Sequence, residues 1–94
     1  MKLTITSDDS TVYKDDLSFF NLNLVGIPEN VHALQWNTNS GWIEYKNESE
    51  FRKPPNENIT ELPQWALDAL VKWEEAKIEI DNQNNLTANS QPTL

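Results

Sequence analysis

The chain has 94 residues, with 15 Asp or Glu against seven Lys or Arg and a formal net charge of −8. That length bounds it to one domain with a small core, and a hydrophobic fraction of 37% leaves part of it for linker or tail. The lack of cysteine excludes disulfides, thiolate metal sites and cysteine nucleophiles, and the acidity argues against nucleic-acid binding, where Lys and Arg must replace released counterions.

The first element read from the sequence is a hairpin. Leu3 and Ile5 share one face of Lys2–Thr6 at period 2, the Ser7-Asp8-Asp9-Ser10 cluster makes a turn, and Thr11–Lys14 returns. Asp15-Asp16 reads as another turn. Phe19, Phe20, Leu22 and Leu24 suggest a short strand or an irregular packed segment, and Val25–Asn30 is a loop punctuated by Gly26 and Pro28.

A second, aromatic hairpin follows over Val31–Trp36 and Gly41–Tyr45, with a loop of either Asn37–Ser40 or Thr38–Gly41. The Thr38–Gly41 loop would set Trp36 opposite Ile43 and Leu34 opposite Tyr45, giving one apolar face. Val31, Ala33, Gln35, Trp42 and Glu44 would take the other. From Asn47 to Asn58 the chain is polar, and Pro54-Pro55 makes it a crossing linker that Phe51 could tack down.

A helix is expected from Pro63, which suits a first helical turn, to about residue 81. At about 100° per residue, Leu62, Trp65, Ala66, Ala69, Leu70, Trp73, Ala76 and Ile80 fall within an arc of about 140°. Leu67, Val71 and Ile78 form a narrower stripe nearly opposite. All four tryptophans lie in this helix and the aromatic hairpin, so the two should pack together. Residues 81–94 are rich in asparagine and read as a flexible linker or tail.

Little of this resembles catalytic machinery. His32 is the single histidine and fits a paired or solvated hairpin residue better than a ligand, since a metal needs several converging groups. Asp8-Asp9 and Asp15-Asp16 lack the spacing and central glycine of a calcium loop and read as turn chemistry. There is no glycine-rich phosphate loop; Gly26 and Gly41 are the only glycines. No catalytic residue, metal or cofactor is expected, and the chain is not expected to be an enzyme. The candidate partner-binding residues are Leu67, Val71 and Ile78, because a helix apolar on two faces must cover the second somewhere. Trp42 joins them if it stands on the outer sheet face; otherwise it lies beneath the linker carrying Phe51.

Three stretches resemble a known family. They are Asn30–Trp36, Ser40–Tyr45, and Ile59–Ala66 with Trp73; Met1–Ile5 and Thr11–Tyr13 are similar too. Together they look like the N-terminal region of the tail, or tail-fibre, assembly chaperones encoded beside tail-fibre genes in tailed bacteriophages and prophages. In that family a low-complexity linker and a second, C-terminal segment follow the helix, and this sequence ends about where that segment would begin. The resemblance implies a phage tail-fibre or tail protein as partner, and no catalytic or cofactor residues.

The expected fold is α+β: a small antiparallel sheet of two β-hairpins packed by one C-terminal helix. Residues 1–80 form the domain and 81–94 the tail. The expected function is non-catalytic protein binding in phage tail or tail-fibre assembly, as a chaperone or minor tail component. Two alternatives stand beside it. One is an acidic phage inhibitor of a host nucleic-acid-binding or defence protein, which would need Asp8, Asp9, Asp15, Asp16, Glu44 and Glu48 clustered on one face. The other is a homo-oligomerisation module using the second helix stripe. The opening residues hold no long apolar run, so neither a signal peptide nor a membrane span is expected. The host cytoplasm, with or without incorporation in the virion, is the expected location.

Overall fold

The computed structural model describes residues 1–89, with side chains through Asn84. Six strands form one antiparallel sheet: β1 (Lys2–Thr6), β2 (Thr11–Lys14), β3 (Leu17–Phe19), β4 (Val31–Asn37), β5 (Ser40–Tyr45) and β6 (Glu57–Ile59). The helix α1 spans Gln64–Asn89. The strand order is β3-β2-β1-β4-β5-β6, so the two hairpins join through β1 and β4 at the centre. The architecture is the expected small antiparallel sheet packed by one C-terminal helix.

The register explains the layers. One row crosses all six strands as Phe19, Val12, Ile5, Leu34, Ile43 and Glu57. The next row on the same face is Leu17, Lys14, Leu3, Trp36, Gly41 and Ile59. Leu3, Ile5, Val12 and Leu34 are almost fully buried here. Between these rows, on the opposite face, run Ser18, Tyr13, Thr4, Gln35, Trp42 and Asn58. The alternation of strand side chains thus gives one apolar face and one mixed polar and aromatic face.

The helix lies on the apolar face. Ala66 and Ala69 are buried without residue and Trp73 nearly so; the small alanines let backbones approach while the indole fills volume. Trp73 packs edge-on against Phe19 with ring centroids 5.7 Å apart, and its Nε1–H donates to the Leu17 carbonyl at 3.0 Å. The Lys14 ammonium stands 4.7 Å above the indole and bonds Glu74 Oε1 at 2.7 Å. The connection between β3 and β4 adds Leu22, Leu24 and Ile27 to the same core. In it Gly26 takes φ 83° beside Trp65.

Several details depart from the sequence reading. The β4–β5 loop is Thr38-Asn39, so Trp36 faces Gly41 and Leu34 faces Ile43; this is the register of the Asn37–Ser40 alternative. Thr38 takes φ 62°, which makes a two-residue hairpin turn possible. Gly41 is held there by close approach: a Cβ would sit 2.0 Å from the Gln35 carbonyl oxygen. Because the two registers differ by two residues, each side chain keeps its face.

A bulge between Val31 and Ala33 turns Val31 into the core, where it is 2% exposed, instead of onto the outer face. β6 forms where a linker was expected, on the open edge after Pro54-Pro55, where no ladder hydrogen bond from proline is needed. Phe51 does not tack the linker down; it is 92% exposed.

The helix also continues to Asn89, beyond the expected end near 81 and into the stretch read as tail. No glycine or proline interrupts it there. Extending a nucleated helix adds one hydrogen bond per residue fixed, and Lys77–Asp81 supplies an i,i+4 ion pair at 2.6 Å. Residues 90–94 of the expected tail lie outside the described residues. Ile80, placed with the core face by periodicity, is 42% exposed, because the helix has passed the end of the core by then. No helix among the described residues is long and apolar enough to cross a membrane.

Candidate functional site

The four residues singled out from the sequence occupy two opposite surfaces. Leu67, Val71 and Ile78 are 43%, 54% and 58% exposed. They line the side of α1 turned away from the sheet, since Ala66, Ala69 and Trp73 take the side turned toward it. At roughly 100° per residue the three superpose within about 40°. Asp68 and Glu75 flank the stripe on one side, Glu74 and Asp81 on the other.

These acids are held by local partners. Gln64 Nε2 donates to Asp68 at 3.0 Å, Lys14 pairs with Glu74, Lys72 lies 3.9 Å from Glu75, and Lys77 pairs with Asp81. The stripe therefore has an ordered polar rim around an apolar centre.

Trp42 stands on the other side of the molecule, on the outer sheet face, as one of the sequence alternatives required. It is 41% exposed, and the solvent-exposed Phe51 ring does not cover it. Its Nε1–H donates to Glu44 Oε2 at 2.8 Å, two residues along the same face. Beside it Thr4 Oγ1 and Gln35 Oε1 lie 2.7 Å apart. Lys2, Thr4, Gln35, Trp36, Asn37 and Trp42 enclose a hollow of about 140 Å³. The sheet and the core separate Trp42 from the helix stripe, so the two cannot meet one flat partner surface together.

A larger hollow, about 370 Å³, was not anticipated. Asp8, His32, Tyr45, Lys46, Asn47 and Lys53 line it. The β4 bulge aims His32 out of the sheet, as bulges do, and leaves its Nδ1 3.8 Å from Asp8 Oδ2. Ser7 clamps the bulge by donating its backbone N–H to the His32 carbonyl and its hydroxyl to the Val31 carbonyl. The phenol of Tyr45 donates to Glu57 on β6. That bond, helped by partial burial, raises the phenol's pKa above its usual 10. Only the lone histidine and the Asp8 turn signalled this region in the sequence, because its lining comes from four separate segments.

The acids named for an inhibitory surface do not share one face. Asp8 and Asp9 lie in the β1–β2 turn, whereas Asp15 and Asp16 lie in the β2–β3 turn at the other end of β2. Asp9 accepts from Thr6 Oγ1 at 2.6 Å, which holds its carboxyl below the usual range; Thr11 Oγ1, without a hydrogen bond of good geometry, lies near enough to add to this. Asp15 accepts from the Lys2 backbone N–H, and Glu48 pairs with Arg52. These are turn and strand-end contacts. Among the described residues no group of three or more His, Cys, Asp or Glu side chains could hold a metal. No family model matches the chain, and no curated protein or solved structure shows significant similarity to it.

Proposed function

We propose that this is a non-catalytic protein-binding domain that acts in bacteriophage tail or tail-fibre assembly, as a chaperone or minor tail component. The observation that carries the binding half of this reading is the exposed Leu67, Val71, Ile78 stripe on the outward side of α1. The assembly half rests on the resemblance of the aromatic hairpin and the helix start to the tail-fibre assembly chaperones. The segments that carry that resemblance include strands β4 and β5 and the start of α1, which build part of the core on which the stripe is displayed.

In this mechanism the stripe covers apolar surface on a fibre or tail protein until assembly buries that surface. Each of the three side chains is already about half buried, so completing its burial contributes on the order of 1 kcal/mol. Three such contributions, set against the cost of association, suit a contact that can be released. The net charge of −8 keeps the loaded complex dispersed.

The test is co-expression with a bacteriophage tail-fibre protein, followed by co-purification and a fibre solubility assay. Leu67→Asp and Val71→Asp probe the helix, and Trp42→Ala probes the sheet. Soluble fibre that is lost with the helix variants and kept with Trp42→Ala supports the reading. Loss with Trp42→Ala alone moves the contact to the outer sheet face. No association with wild type sinks the proposal.

A further inference from the structure

The 370 Å³ hollow is distinct from both candidate docking surfaces, and its charge runs against that of the molecule. Lys14, Arg52, Lys72 and Lys77 each face a carboxylate. Among the described residues Lys2, Lys46 and Lys53 have no such partner, and two of these three line the same hollow. In a chain with 15 acids, two lysines without an ion-pair partner against one carboxylate leave the lining of this hollow net positive. The single carboxylate in the lining, Asp8, is turned toward His32.

The walls are held by backbone bonds. The Lys46 N–H donates to the Asn30 carbonyl at 2.8 Å, and the Glu48 N–H donates to the Arg52 carbonyl at 2.8 Å. The first ties the end of β5 to the start of β4, and the second closes the turn between the two lysines. The Ser7 clamp fixes the bulge that presents His32, and the Tyr45 ring is tethered through its hydroxyl to Glu57.

From this geometry we infer a binding site for a small hydroxylated anion, of the sugar-phosphate or sugar-acid kind. The volume falls at the low end of small-ligand sites and exceeds what a bare oxyanion fills. Lysine ammoniums serve as point-charge partners for a phosphate or a carboxylate. Asp8 repels a bare anion but accepts hydrogen bonds from hydroxyl groups, and the Asn47 amide both accepts and donates. The lining thus offers cationic groups for the anion and hydrogen-bonding groups for a polyol body. This inference is independent of the assembly reading.

The test is an amide chemical-shift titration of the full 15N-labelled chain with glucose 6-phosphate, glucuronate and glucose at matched ionic strength. The expected result is saturable shifts at His32, Lys46, Asn47 and Lys53 with either or both anionic sugars and none with glucose. A response to the phosphate alone, or to the carboxylate alone, identifies which anion the lysines take. Lys46→Gln and Lys53→Gln each weaken binding about three- to fivefold, as expected for losing one exposed charge partner, and both together weaken it more than about tenfold. Lys2→Gln, beside the other hollow, leaves binding unchanged. Equal binding of glucose, no shifts at these residues, or equal weakening by Lys2→Gln overturns the inference.

Discussion

The two halves of α1 share one backbone and differ in what holds them. From Gln64 to Lys77 the helix lies on the sheet, with Ala66, Ala69 and Trp73 buried and Phe19, Leu17 and Lys14 gripping the indole. From Ile78 to Asn84 every residue is exposed, and i,i+4 side-chain contacts join Lys77 to Asp81 and Gln83 to Glu79. The difference separates two sources of helical structure. Tertiary burial fixes the first half, and continuation of a nucleus fixes the second. The stripe proposed for partner binding spans both, with Leu67 and Val71 on the anchored half and Ile78 on the projecting one.

Substitutions should act very unequally on the two halves. Trp73→Ala removes the indole that joins helix to sheet and should lower stability by about 3–5 kcal/mol, measured by urea unfolding. Ala69→Leu drives bulk into the closest approach and should cost about 1–3 kcal/mol; a neutral result would mean the helix can lift from the sheet freely. Lys14→Met removes both the cation above Trp73 and its pair with Glu74. It should cost about 0.5–1 kcal/mol, with the loss shrinking at high salt.

Asn82→Gly on the projecting half should change global stability by less than about 0.5 kcal/mol. It should still speed amide exchange there. A global loss as large as that of Ala69→Leu would erase the contrast between the halves. The smallest effect is alkaline. The fold raises the Tyr45 pKa, so the protonated phenol stabilises the native state fully below pH 10, and this contribution is lost as pH climbs through the raised value. Tyr45→Phe should lack that component of the alkaline decline, while the projecting half keeps its exchange rates.

Much of this contrast could be read from residue patterns. Period-2 alternation in Lys2–Thr6 and over Ala33–Trp36, and the 3.6-residue spacing of Leu62 to Trp73, identify the sheet face, the helix face and the core between them, while the bulge takes Val31 out of that alternation. Leu67, Val71 and Ile78 stand out because they break the second pattern. Other features carry too little local signal. β3 and β6 have three residues each, too few to show a period, and exist because a neighbouring strand offers them a ladder. The His32 bulge depends on Ser7, 25 positions away. The helix end was hidden because asparagine-rich composition suggests coil, whereas the preceding turns decide whether a helix continues. The large hollow draws on the β1–β2 turn, the end regions of β4 and β5, and the segment near Lys53, so no contiguous motif announces it.

The outermost strands have a consequence for behaviour at high concentration. β3 is three residues long and lies between Asp15 and Asn21, both in left-handed backbone conformations. β6 is equally short and follows Pro54-Pro55. Neither offers the long, flat ladder on which sheets from separate molecules polymerise. At high concentration the short, interrupted edges thereby guard the chain against fibril-like growth, and leave the two broad faces as the surfaces open to contact.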